Sequence, residues 1–337
     1  MVYTNLPLTY LPFVSNERPP KSALRILFLN IMPMKQVTEE DFCRSLNFQD
    51  VDVELLPMKI SGQTYKTTPQ EYVDSYYSDF EEYQNGSYNG LIVTGAPLEA
   101  LDFEQVRYWS QLKEIMEWAT THVSSSLYIC WGAQAAMYNH FGIPKYDLPE
   151  KCFGIFPHRS LKQHPLMEGL HPQFQMPNSR HTEVHKIDFP SACQVLAESD
   201  ETGVGIMISN DGREVYVVGH LEYEPYTLHN EYLRDLEKGE KISPPKNYYL
   251  NNAPEQGVDY SWKDSCCQFF RFHSRLHVHD DTYFGSVDDC IDTFAANLES
   301  DRPFETSVCE VEVSEFRICL IPVYDQSKTD ILKLVSA

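Results

Sequence analysis

The stretch Leu127-Tyr128-Ile129-Cys130-Trp131-Gly132-Ala133-Gln134-Ala135-Ala136 decides how this chain is built. Leu127 to Ile129 is a short apolar run of the kind that ends a buried strand. Cys130 follows at once, and the small residues after it open a helix. A cysteine between a strand end and a helix N-terminus sits on a sharp turn that pushes its sulfur into a cleft. The unpaired N–H groups of the first helical turn, with the helix dipole behind them, favour a thiolate there. Gly132 leaves room for a substrate carbonyl to approach the backbone. Free cysteine is also among the most buried residue types, so a structural thiol would look the same in isolation. The flanking sequence separates the two.

Upstream, residues 24–30 form a first strand, residues 38–46 a capped helix and residues 51–56 an alternating strand. Residues 71–83 have a helical period. Residues 91–94 are a continuous apolar strand of the kind buried on both faces. They run into Gly95-Ala96-Pro97-Leu98-Glu99, and a helix over 103–119 leads back to the elbow strand. This alternation predicts an α/β fold, a doubly wound and mostly parallel sheet with flavodoxin-like layering. Ligands in such folds collect at the C-terminal strand ends, so the Gly95 loop and Cys130 share one rim. Before all this, residues 1–21 read as an extended arm. Downstream, residues 177–183 read as a dense polar loop. Residues 195–197, 204–208 and 215–218 read as strands, with Asp211-Gly212 as a hairpin turn. A helix covers 230–236.

His220 and Glu222 stand at i and i+2 after the last of these strands. A thiol nucleophile needs a histidine to take its proton and a carboxylate to fix that histidine's tautomer. An ion pair at a strand end would also give His-x-Glu. Agreement between an elbow cysteine, a Gly95 loop and a His220–Glu222 pair favours catalysis. The tetrahedral intermediate would then need two N–H donors: Trp131, next after the nucleophile, and Leu98 in the facing loop, since Pro97 has none.

Composition narrows the partners. Lys plus Arg number 27 against 49 Asp plus Glu, a formal net charge of -22. That surface repels nucleic acid and anionic membranes, and any anionic substrate needs a local cationic pocket. No apolar run reaches the roughly 20 residues of a membrane span, and no secretion leader is evident. The nine cysteines are odd in number and contain no C-x-x-C, so they read as reduced cytoplasmic thiols. No metal site and no resident cofactor are expected.

The order Cys130, then His220-Leu221-Glu222, resembles class I glutamine amidotransferases, and Cys130-x-Gly132-x-Gln134 fits their elbow. Tyr128 departs from the glycine usual there. Longer runs make the resemblance specific: Asn30-Ile31-Met32-Pro33, Thr94-Gly95-Ala96-Pro97, Cys130-Trp131-Gly132-Ala133-Gln134-Ala135, Asn178-Ser179-Arg180-His181-Thr182-Glu183, Gly219-His220-Leu221-Glu222-Tyr223 and Tyr232-Leu233-Arg234. Together the chain resembles the homoserine O-acyltransferases of the methionine pathway. The resemblance implies Cys130 as the acylated nucleophile, His220 as proton acceptor and Glu222 as its partner. It also implies Lys151, Ser179 and Arg234 as substrate contacts, and L-homoserine and an acyl-CoA as substrates. Without it, Arg234 would be read as a helix charge paired with Glu231 or Asp235. Glutamate at position 99, where that family has glycine for succinyl transfer, implies acetyl-CoA as donor. A homodimer is what the family suggests. A homoserine O-succinyltransferase, or an amidase using the same three residues, are the alternatives.

That likeness covers residues 24–262, so we expect an acyltransferase domain over 1–262 and an extension over 263–337. In the extension, residues 287–298 suggest a helix, and residues 308–313 and 316–323 suggest strands. His273, His277, His279, Asp280 and Asp281 could hold zinc, though their spacing fits a solvated loop better.

Overall fold

The computed structural model describes residues 1–47 and 51–280, with side chains through residue 271, and the segments 309–313, 316–323 and 331–336. The chain divides into two compact units, Met1–Asp280 and Asp281–Ala337. The first is built on one sheet. In chain order its strands are β1 (Val2–Tyr3), β2 (Val14–Ser15), β3 (Leu24–Leu29), β4 (Val53–Lys59), β5 (Ser78–Asp79), β6 (Tyr88–Val93), β7 (Val123–Ile129), β8 (Tyr146–Ser160), β9 (Gln173–Glu183), β10 (Cys193–Ser199), β11 (Gly203–Ser209) and β12 (Glu214–Val217). The helices are α1 (Lys35–Ser45), α2 (Gln70–Tyr76), α3 (Trp109–His122), α4 (Trp131–Phe141), α5 (Thr227–Glu237) and α6 (Lys263–Asp280).

Strand order is β2-β1-β4-β3-β6-β7-β12-β11-β10-β8-β9, with β5 beside β4. From β2 to β12 neighbours run parallel. From β12 onward they run antiparallel. The stretch β4-β3-β6-β7-β12 is the doubly wound order expected from the alternation, with its reversal between β3 and β6.

Side-chain alternation along the central strands feeds two cores. Ile26, Phe28, Ile92, Leu127, Ile129, Val215 and Val217 pack on one face with Phe42 and Cys43 of α1 and Phe269 and Phe270 of α6. Leu27, Leu29, Leu91, Val93, Tyr128 and Tyr216 pack on the other with Leu112, Ile115 and Met116 of α3 and Ala133, Ala136 and Met137 of α4. Strands buried on both sides lose the polar half of their alternation, which is why they read as apolar runs.

Several expectations are corrected. The first 21 residues, read as an extended arm, are built into the sheet and the core: β1 pairs with β2 and β4, and Leu6, Leu8, Leu11 and Val14 are buried. Helix α1 starts at Lys35, before Thr38, and no side chain caps it. The helical period over 71–83 breaks after Tyr76 into β5 and a 3-10 turn, Phe80–Glu82. Residues 177–183 are not a loop but the end of β9, antiparallel to β8. Asn178, Arg180 and Thr182 point one way into a buried polar layer while Ser179 and His181 point the other, so no apolar periodicity marks the strand. The boundary expected at 262 falls after Asp280, because Cys266, Phe269 and Phe270 insert into the first unit's core.

The second unit holds an antiparallel three-stranded sheet, β13 (Cys309–Val313), β14 (Phe316–Val323) and β15 (Ile331–Ser336). Two of these match the strands read over 308–313 and 316–323. The helix read over 287–298 lies outside the described residues, as does Asp281. His273, His277, His279 and Asp280 stand on α6 rather than in a loop. Among the described residues no group of three or more metal-ligating side chains forms, and no helix is long and apolar enough to cross a membrane.

Candidate active site

The elbow is present as read. Cys130 has φ 53° and ψ -118°, a left-handed conformation that costs a non-glycine residue on the order of 1–3 kcal/mol. Its N–H donates to the Val217 carbonyl at 2.8 Å, and its carbonyl accepts from Gln134 at 3.1 Å. Strand end, nucleophile and helix start are therefore tied to β12, the strand that leads to the histidine. Gly132 has a steric reason: a Cβ there would stand 2.5 Å from the Thr94 carbonyl oxygen. The Gly95 loop lies as close. A Cβ on Gly95 would be 3.2 Å from Cys130 Cβ and 3.7 Å from His220 Cε1.

His220 and Glu222 are not on a continued strand. β12 stops at Val217, and both side chains hang from the turn that follows. They still meet: His220 Nδ1 and Glu222 Oε1 are 2.7 Å apart, each residue 3% exposed. The His220 N–H donates to the Pro177 carbonyl at 2.8 Å, and the ring of Tyr223 stacks on the imidazole at 4.1 Å. Burial alone would push the imidazole down. The Cys130 sulfur and the Glu222 carboxylate outweigh that and hold it well above the ordinary histidine range. Glu222 Oε2 is buried with no hydrogen-bond partner. Behind it lies Asp41, a carboxyl the sequence did not single out. Burial first, then the charges of Glu222 and Glu224, push Asp41 well above the usual carboxylate range.

A second group of residues faces this set. Lys151 on β8, Ser179 on β9 and Arg234 on α5 converge on one carboxylate, Glu231. Its Oε1 accepts from Lys151 Nζ at 2.8 Å, from Ser179 Oγ at 2.8 Å and from Arg234 Nη2 at 3.4 Å. Lys151 also meets Asp235 at 3.2 Å, and Arg234 Nε donates to Asp235 at 2.8 Å. The ion pairs expected of Arg234 as a plain helix charge thus coexist with the clustering expected of a substrate site. The cluster adjoins the nucleophile, because the Cys130 thiol points at the Ser179 carbonyl, 3.9 Å away. Glu99 is half-buried and senses the same cluster. Burial raises its carboxyl, His181 and Lys151 pull it down, and Glu231 pushes it up again. Glu231 and Asp235 carried no signal in the sequence beyond being partners for Arg234.

Trp131 opens α4, so its N–H belongs to the helix turn that lacks intrahelical acceptors. The Leu98 N–H is already given to the Ala96 carbonyl at 2.9 Å. Tyr128, the departure from the amidotransferase elbow, takes no part in the cleft. It is fully buried and stacks on Tyr216 at 5.4 Å within the α3–α4 core. Gln134 locks the elbow helix to β9 through Thr182, whose hydroxyl donates to Gln134 Oε1 at 2.7 Å. A depression of about 690 Å³ lies at the loop between β8 and β9, lined by Ser160, Lys162 and His164, and contains none of these residues.

Similarity to known proteins bears on the fold and the family. A glutamine amidotransferase from Thermotoga maritima superposes with a TM-score of 0.50 at 14% identity, over 76% of this chain and 97% of that one, which bears on the fold alone. Residues 15–283 match the sequence family described as homoserine O-succinyltransferase. A homoserine O-acetyltransferase of Bacteroides fragilis (strain YCH46) is 45% identical over 268 residues, 79% of this chain and 88% of its own. One from Brevibacillus brevis is 42% identical over 273 residues, 80% of this chain and 88% of its own. A match over residues 15–283 and relatives at 45% and 42% identity over about four fifths of its length show that the chain belongs to the homoserine O-succinyltransferase family.

Proposed function

We propose that this enzyme transfers an acetyl group from acetyl-CoA to the hydroxyl of L-homoserine through an acyl-cysteine at Cys130. The observation that carries the proposal is the placement of the Cys130–His220–Glu222 set against the Lys151–Ser179–Glu231–Arg234 cluster. In the first half-reaction the Cys130 sulfur attacks the thioester carbon while His220 holds the thiol proton, which leaves on the CoA sulfur. In the second, His220 takes the proton of the homoserine hydroxyl, the oxygen attacks the acyl-cysteine, and the thiolate is released. Glu222 keeps the imidazole oriented and its positive charge balanced. Arg234 and Lys151 suit the carboxylate of homoserine, and Glu231 suits its ammonium. The Trp131 N–H serves as one oxyanion donor; Leu98 serves as the second once it releases the Ala96 carbonyl. Acetyl-CoA is a co-substrate, and no step as written calls on a resident cofactor. The free cysteines Cys43, Cys130, Cys152, Cys193, Cys266 and Cys267 fit a cytoplasmic enzyme, and light scattering tests the homodimer that the family suggests.

The experiment is to incubate the protein with acetyl-CoA alone and weigh it. One acetyl group on Cys130 is expected; an unmodified Cys130 would sink the proposal. The acyl choice rests on Glu99. A distal carboxylate, as succinyl-CoA carries, would be crowded and repelled there, since two like charges ~4 Å apart cost on the order of 4 kcal/mol at an effective dielectric of 20. Glu99→Gly should shift a competition between equal acetyl-CoA and succinyl-CoA toward succinyl transfer. A wild type that already prefers succinyl-CoA would leave the alternative named by the family description.

A further inference from the structure

A cavity of about 280 Å³ opens where the sheet reverses its strand order. Its walls are the loops after β3 (residues 30–33), after β4 (residues 60–67) and after β6 (residues 96–98), closed by Tyr108. Loops that leave a sheet in opposite directions at such a point leave a crevice between them. This crevice borders the nucleophile. The loop that supplies Ala96, Pro97 and Leu98 to its wall begins at Gly95, packed against Cys130. The acceptor cluster of Lys151 and Glu231 is not among its lining residues.

The lining is amphipathic in a particular way. Ile31, Ile60, Ala96 and Leu98 make it apolar, and Gln63 and Thr64 offer hydrogen bonds. Two lysines line it and no carboxylate does, on a chain whose net charge is -22. Lys35 is 2% exposed, donates to the Asn30 carbonyl and lies 4.7 Å from the Tyr65 ring. Among the described residues neither lysine forms an ion pair within 4.0 Å. Burial draws Lys35 down to about 8 against the opposing pull of the Glu39 carboxylate, which lies outside the cavity's lining. Lys66 is exposed. The loop carrying Lys66 is anchored over the β3 loop by Thr68, whose hydroxyl donates to the Pro33 carbonyl at 3.1 Å.

We infer that this cavity receives the pantetheine arm of the acyl-CoA, with the thioester reaching Cys130 past Gly95 and the phosphates held by Lys66. The inference rests on the acyl-CoA reading of the active site. The arm alternates methylenes with two amides, which matches apolar walls interrupted by Lys35, Gln63 and Thr64. Donor and acceptor would then approach the sulfur from different sides.

The test uses the full chain and CoA itself as probe, with binding followed by calorimetry. Thr64→Trp fills the cavity from an exposed position, and Lys66→Glu reverses the charge. The dissociation constant for CoA should rise at least tenfold in the first and severalfold in the second, with the KM for homoserine within twofold of wild type in both. A constant within twofold of wild type in both variants overturns the inference, as does a wild type that does not bind CoA. If the variants weaken CoA binding but acetyl-CoA leaves no acetyl on wild-type Cys130, the cavity stands and the acyl-transfer reading falls. If Cys130 is acetylated with an unchanged acetyl-CoA KM in both variants, the reading stands and the cavity falls.

Discussion

At the scale of the residue, Cys130 is strained, buried and tied to β12, so its replacement separates chemistry from fold. Cys130→Ser changes one atom and should keep the elbow while lowering turnover at least ~1,000-fold. His220→Ala should lose a comparable factor, and the double variant little more than the worse single, because the set acts as a unit. Steady-state kinetics on the three proteins checks this; losses that multiply would mean independent roles. Glu214 makes a different prediction. Burial raises its carboxyl from 4.5 to about 7, with Oε2 unpartnered. Between those values the folded chain keeps a proton that the unfolded chain has released, so stability falls as pH rises through the window. A shift of that size corresponds to about 3 kcal/mol. Glu214→Gln should make the fall smaller by about that amount, the buried Asp41 keeping its own share, and urea unfolding at pH 4.5 and pH 8 decides; a variant that tracks wild type refutes it. Cys130 was legible because its strand and helix announce themselves locally. Glu214, Asp41 and Glu231 were not, because a carboxyl's burial is decided by residues remote in sequence.

Elements were legible in proportion to the regularity of their burial. The central strands stand out because both faces are covered. β9 hides because its inward face is Asn178, Arg180 and Thr182. The buried guanidinium of Arg180 is satisfied by the carbonyls of Thr182 and Thr202, both at 2.6 Å. β1 and β2 hide behind Pro7 and Pro12, which suggest an arm while Val2, Leu6 and Val14 enter the core. α6 hides because the motifs that carry the family likeness stop at Trp262. Its Cys266, Phe269 and Phe270 have the i, i+3, i+4 spacing of a buried helix face, and Phe270 meets Phe42 edge-on at 6.2 Å. A chain ending after Trp262 should therefore unfold at markedly lower urea than one ending after Asp280. Phe270→Ala alone should cost roughly 3–5 kcal/mol. Equal midpoints for the two truncations would remove α6 from the core.

At the scale of the whole molecule, charge is the first consideration. An acidic protein repels a polyanionic donor at long range even where a local pocket attracts it. The Debye length shrinks from about 30 Å at 0.01 M salt to about 8 Å at 0.15 M. The kcat/KM for acetyl-CoA should accordingly rise over that range while the value for zwitterionic homoserine stays level; a fall for acetyl-CoA would mean the lysines outweigh the rest of the surface. The sheet is the second consideration. The nucleophile ends β7 and the base follows β12, adjacent strands that are joined with Ile129 opposite Val217. The intervening chain must first cross to the far edge as β8 and β9 and return through β10 and β11. During synthesis the thiol thus exists for a long interval before its base does. The thiol therefore stands without its base until β12 comes to lie beside β7, after the four strands between them have been made.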